Sequence, residues 1–386
     1  MTYKEVYLDN SSTTFMDPKV LDTYYETMKK YYGNPSSLHQ LGVESEKKLK
    51  EAKSIVANTL KAKPQEILFT SGGTESNNIA IHGTINAFRN RGNKIITTKI
   101  EHPSVLEIFK YYESLGFEVI YLDVDESGVV NLEQLKTELN RETILVSIMV
   151  VNNEIGTEQP LWEIGQQIKA NNPLCIFHVD AVQGYGKIDI DLLASNISLL
   201  SLSSHKLHGP KGVGALYVKD KLKIAPIMLG GGQQIGLRSG TENVPGFYAM
   251  AKACEKIFAN NKQDTTKISK LRNYVWDKIK GSTKDALLLT PLDYSAPHIL
   301  NTAFRGLKGE VLVHALESKG VFVSTGSACS SKQQGTSHVL KAIDVPKEYI
   351  EGAIRISFSR YNNEDDVCYA VEKIIEAVNE LSLFMA

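Results

Sequence analysis

Apolar and polar positions along the chain follow two periods, and the switches between them predict most of the elements. Short apolar runs at 67–69, 95–98, 118–122, 144–151, 174–179, 197–202 and 213–218 have the length of strands and little polar alternation. Such runs suit strands buried on both faces. Between them lie stretches with helical spacing at 18–31, 73–88, 105–115, 132–139 and 161–170, and a long helix with Leu49, Ala52, Val56 and Leu60 on one face. Strands alternating with helices predict a mostly parallel sheet covered on both sides. Beyond Val218 the pattern changes. Two glycine-rich stretches, 229–232 and 236–240, precede a helical pattern at 244–260, and the lysine-rich stretch 261–270 reads as a domain boundary. Strands at 299–304, 321–324 and 353–357 then mix with helices at 310–319 and 364–383. The fold class expected is α/β, with a large domain over 15–260 and a smaller α+β domain from 1–14 plus 261–386.

Charge narrows the classes of partner. The chain of 386 residues has 43 Lys and Arg against 44 Asp and Glu. A net charge of -1 gives no general attraction to nucleic acid or to a membrane surface. No apolar run approaches the ~20 residues of a membrane span, and the first fourteen residues hold no apolar signal core, so a cytoplasmic protein is expected. The four cysteines show no metal-ligand spacing, so no metal is expected. Cys175, Cys254 and Cys368 lie in apolar or helical patterns and read as fillers. Cys329 differs, because it sits among serines in a stretch, 324–338, with almost no apolar residue to pin it. A mobile loop is expected there, and a thiol that acts as nucleophile or carrier.

Candidate chemistry centres on the polar turn 203–212, SSHKLHGPKG, between two apolar strands. A lysine amine in a desolvated pocket can lose its proton and attack a carbonyl. Serine hydroxyls and a histidine beside it suit a phosphate. Pyridoxal 5′-phosphate carries both an aldehyde and a phosphate. Thr74, His102, Asn152, Asp180 and Lys206 stand at the C-terminal ends of successive strands, where open α/β sheets bind ligands. The turn 71–76 that opens a helix adds backbone N–H groups and a helix N-terminus suited to an anion. Arg355 is embedded in an apolar strand pattern. It requires an anionic partner, either a buried Asp or Glu or the carboxylate of a substrate.

Taken in order, the motifs YLDNSSTT (7–14), YGNPSSLH (32–39), TSGGTESNN (70–78), EHPSV (101–105), VNNEIG (151–156), HVDAVQ (178–183), SSHKLHGPKG (203–212), RSGTEN (238–243), STGSACSS (324–331) and IRISF (354–358) span essentially the whole chain. Together they resemble the class V aminotransferase superfamily, and within it the cysteine desulfurases of the NifS and IscS type, in their long-loop group. The resemblance implies a fold type I enzyme dependent on pyridoxal 5′-phosphate. It implies that Lys206 bonds the cofactor aldehyde, that Asp180 pairs with the pyridine nitrogen and that His102 stacks on the ring. Gln183 would bind the ring 3′-oxygen, and Gly73, Thr74, Ser203 and His205 would hold the phosphate. Thr241 would reach the phosphate from a second subunit, implying a homodimer. Asn152 and Arg355 would bind the substrate carboxylate, with Asn152 also near the cofactor, and Cys329 would be the nucleophile.

The implied reaction takes sulfur from L-cysteine, leaves a persulfide on Cys329, and passes it to acceptor proteins of Fe–S cluster assembly or tRNA thiolation. Other readings compete. A selenocysteine lyase or an aminotransferase would share the fold, although aminotransfer has no use for Cys329. A scaffold that only relays persulfide would have no use for Lys206, Asp180 and His102 together. Two departures stand out. Gln233-Gln234-Ile235-Gly236 lacks the charged pair usual in the family, and Ser12 replaces an alanine.

Overall fold

The computed structural model describes residues 4–326 and 336–383. The strands, in chain order, are β1 (Val6–Tyr7), β2 (Ile67–Thr70), β3 (Lys94–Thr98), β4 (Glu118–Leu122), β5 (Thr143–Met149), β6 (Ile176–Asp180), β7 (Leu199–Ser203), β8 (Gly214–Val218), β9 (Ala286–Leu288), β10 (Ile299–Phe304), β11 (Val321–Phe322) and β12 (Ala353–Ser357). The helices are α1 (Pro18–Lys30), α2 (Gln40–Thr59), α3 (Gly73–Phe88), α4 (Pro103–Ser114), α5 (Leu132–Glu138), α6 (Leu161–Asn171), α7 (Val244–Ala259), α8 (Asn261–Ser282), α9 (Gly309–Glu317), α10 (His338–Ala342), α11 (Lys347–Ile350) and α12 (Glu364–Leu383).

A seven-stranded sheet in the order β2-β8-β7-β6-β5-β3-β4 forms the centre, with β8 antiparallel to both its neighbours and the other pairings parallel. The period of two in a strand sends alternate side chains to opposite faces. Phe69, Ile96, Val146, Phe177 and Leu200 pack towards α2, α6 and α7, while Leu68, Ile95, Leu145, Ile176 and Leu199 pack against α3 and α4. Both faces are therefore covered. That is why these strands read as continuous apolar runs, and why only the edge strand β4 shows exposure.

Beyond α7, the stretch 261–270, expected as a domain boundary, is helical. It forms the first turns of α8, whose buried stripe Ile268, Leu271, Val275, Trp276 and Ile279 begins only near its end. The polar first turns hid this helix from pattern reading. Its stripe joins α9, α12, the antiparallel sheet β12-β10-β9 and the N-terminal residues Val6 and Leu8 in a second core. β1 pairs in parallel with β11, and Asp9 bridges to Ser357, so the N-terminal segment crosses from this core towards the edge of the large sheet.

Candidate active site

The C-terminal edge of the large sheet opens onto a cavity of about 240 Å³. Gly73, Thr74, His102, Asp180, Gln183, Ser203, His205, Lys206 and Arg355 line it, so nine of the residues singled out in the sequence meet there. They come from β6, β7 and β12 and from the segments that follow β2, β3, β6 and β7.

Lys206 sits in the turn that reverses the chain between β7 and the antiparallel β8. Its ammonium donates to the backbone carbonyl of Ser12 at 2.6 Å and to that of Ser11. Asp180 ends β6. One carboxylate oxygen accepts from the Val182 N–H at 3.0 Å and the other from Asn77 Nδ2 at 2.7 Å, so the side chain is braced on both oxygens. His102 caps α4 and its Nδ1 accepts from the Ser104 N–H at 3.1 Å. Burial, and then the charges of Lys206 and His338, hold His102 below its ordinary pKa, against the pull of Asp180. Burial and the neighbouring lysines hold His205 down at about 4, so it is neutral near pH 7.

The N-terminus of α3 opens onto the cavity. No side chain caps the N-terminus of α3, and a Cβ on Gly73 would come within 2.7 Å of Val182 Cγ2. Among the described residues, Ser203 Oγ and Gln183 Oε1 are buried and have no hydrogen-bond partner. Orphaned polar atoms of this kind cost free energy unless a ligand or water satisfies them. An anion against the open end of α3, and a polar ring atom near Gln183, would use them both.

Arg355 finds the acidic partner that its sequence context called for. It pairs with Asp9 at 2.9 Å and donates to Ser12 Oγ at 2.6 Å and to the Asn153 carbonyl at 2.8 Å, yet it still faces the cavity. Its Nε has no partner among the described residues.

Two expected residues stand apart from the cavity. Asn152 is buried and absent from the lining. Its amide donates to the Ile100 carbonyl, and its oxygen accepts from the Glu154 and Ile155 N–H groups. Its neighbour Asn153 lines the cavity instead. Thr241 is exposed and lies outside the lining. Cys329 lies outside the described residues; Gly326, the last described residue before it in the chain, lines the cavity. Pattern reading missed Asn77 and Ser104; only their places in the motifs TESNN and EHPSV marked them.

The family model described as aminotransferase class-V matches residues 6–369. A cysteine desulfurase IscS of Clostridium botulinum is 44% identical over 384 residues, covering 98% of this chain and 96% of that protein. A cysteine desulfurase IscS of Methanosarcina thermophila is 43% identical, covering 98% and 93%. Among solved structures, a NifS-like protein superposes with a TM-score of 0.93 at 40% identity, covering 98% of this chain and all of the other. Pyridoxal 5′-phosphate is the cofactor of this family, and the braced Asp180, the lysine in its turn and the open phosphate cradle fit it. The chain belongs to the class V aminotransferases, in their branch of NifS- and IscS-type cysteine desulfurases.

Proposed function

We propose that this protein is a cysteine desulfurase that converts L-cysteine to L-alanine and leaves the sulfur as a persulfide on Cys329. The observation that carries this reading is one cavity lined by Lys206, Asp180, His102 and Arg355, with Gly326, three residues before Cys329, at its wall. When bound, pyridoxal 5′-phosphate supplies an electron sink conjugated to the substrate's α-carbon. Asp180 holds a proton on the ring nitrogen. Gly73, Thr74, Ser203 and His205 would hold the cofactor's phosphate, and Gln183 its 3′-oxygen. Arg355 takes the substrate carboxylate in a two-pronged grip. Asn152 supports that grip through the turn it organises. Lys206 takes the α-proton, with His102 beside it for proton transfer. The Cys329 thiolate then attacks the substrate sulfur. An S–S bond forms as the C–S bond breaks; the electron pair stays with carbon, which gains a proton and leaves in alanine.

Acceptor proteins of Fe–S assembly or tRNA thiolation would remove the persulfide sulfur. A homodimer is part of the proposal. Leu21, Tyr25, Met28, Tyr32 and Leu38 are exposed in and after α1, an apolar display that suits a second copy. Exposed Thr241 would complete the phosphate site of that copy. Light scattering is expected to give twice the chain mass. No described helix is long and apolar enough to cross a membrane, and a cytoplasmic location is proposed. Two units, 15–260 and 1–14 plus 261–386, would divide the work between cofactor and cysteine loop.

The test is an absorbance spectrum of the purified protein before and after L-cysteine, with alanine assayed alongside. A yellow band that changes with cysteine while alanine accumulates is expected. A yellow protein that makes no alanine would overturn the substrate assignment. Arg355→Ala is expected to raise the half-saturating cysteine concentration roughly 10- to 100-fold, the scale of a hydrogen-bonded charge pair. A spectral titration with cysteine checks this, and an unchanged midpoint would remove Arg355 from the carboxylate site.

A further inference from the structure

Glu154 belongs to the turn after β5 and is 5% exposed. Its carboxyl oxygen Oε2 accepts a hydrogen bond from the Ser337 hydroxyl at 2.6 Å. That hydroxyl also accepts from the Leu340 N–H at 3.1 Å, starting α10. The chain that resumes after residue 335 is therefore hung on Glu154. On the other flank, Gly326 lies beside the same carboxyl, and the two line one cavity with Ser337. A Cβ on Gly326, which has φ +23°, would lie 3.3 Å from Glu154 Oε2 and 3.3 Å from Asn301 Nδ2. Asn301 Nδ2 in turn donates to the Glu154 carbonyl at 3.0 Å. Through the preceding peptide, the Asn153 carbonyl holds Arg355.

One side chain thus bonds one flank of the segment that contains Cys329 and lies beside the other, while the carbonyl of the preceding Asn153 braces the arginine of the cavity. Among the described residues no cation forms an ion pair with Glu154. Burial pushes its pKa up, opposed by the Ser337 hydrogen bond and by the charges of His338 and Arg355. Burying a carboxyl without an ion-pair partner is unfavourable. Shaping the turn is no reason to keep it, because the turn is already held by Asn152 accepting from two backbone N–H groups.

We infer that Glu154 is a positioning residue for the sulfur-accepting thiol: its carboxyl holds Gly326 and Ser337 together at the wall of the cavity. Three residues of chain span at most about 10 Å, so the place of Gly326 limits where the Cys329 sulfur can go. The inference rests on the desulfurase reading for its effect on turnover, but the anchoring itself can be measured without it.

The experiment compares Glu154→Ala, Glu154→Gln and Ser337→Ala holoenzymes with the parent protein in two assays. The first is alanine formation together with the cofactor band and the cysteine titration midpoint. The second is the rate of iodoacetamide labelling at Cys329, located by mass spectrometry, without substrate. Glu154→Ala and Ser337→Ala are expected to lower kcat about tenfold or more and to change the labelling rate severalfold. The cofactor band and titration midpoint should stay within twofold. Glu154→Gln keeps an oxygen that accepts from Ser337 and should restore most of the loss. If Glu154→Ala does not fold, Ser337→Ala carries the test alone. Unchanged labelling would overturn the inference, as would a fall in cysteine affinity that matches the fall in kcat. Changed labelling in a parent protein that makes no alanine would support the anchoring and sink the desulfurase reading.

Discussion

Lys206→Ala is expected to lower alanine formation at least about 10³-fold, within the range that a positioned acid–base group contributes. The turn between β7 and β8 delivers this amine to the cavity, and the Ser11 and Ser12 carbonyls orient it. Among the described residues it is the one lysine that lines the cavity. The two histidines there cannot replace it: His205 is held neutral at about 4, and neither imidazole can form the covalent bond to an aldehyde that a primary amine forms. Borohydride treatment checks the assignment independently of turnover. In the parent protein it should fix the cofactor to the peptide containing Lys206, and in the variant to no peptide. Labelling of a different lysine would overturn the assignment.

Cys329→Ala is expected to reduce alanine release from L-cysteine to below roughly 1% of the parent rate, while the cofactor band and its response to cysteine persist. The step lost is nucleophilic attack on the substrate sulfur, which no other group of the site supplies. The other three thiols cannot substitute. Cys175 and Cys254 are buried, and burial pushes both up to about 12, far from a thiolate at neutral pH. Cys368 lies on α12 with its sulfur 3.3 Å from the Tyr274 hydroxyl, and none of the three lines the cavity. Mass spectrometry of the parent protein after cysteine should find one added sulfur on Cys329. Undiminished alanine release from the variant would point to an enzyme of the same fold acting without a thiol.

Much of this molecule was legible in the chain before any coordinates. Continuous apolar runs identify β2, β3 and β5–β8 because the sheet they form is covered on both faces, so burial leaves a period-free mark on each strand. The order of polar residues at the strand ends was legible for the same reason. A parallel sheet brings consecutive C-terminal ends to one edge, and nine of the residues marked in the sequence do line one cavity there. Local pattern reports whether a side chain is buried, not what it touches. Asn152 and Asn153 are neighbours of the same type, yet one is consumed by backbone groups and the other faces the cavity. Asn77 was invisible as a support of Asp180 because 103 residues separate them. The first turns of α8 did not read as a helix because their polar residues lie beyond the core that its later turns enter. The pairing of Arg355 with Asp9, and the hydrogen bond of Glu154 with Ser337, join residues far apart in the chain. Composition and motif order determined the class of chemistry. Tertiary structure alone decided which of these groups share a hydrogen bond, because those bonds are set by the packing of separate elements and leave no local trace.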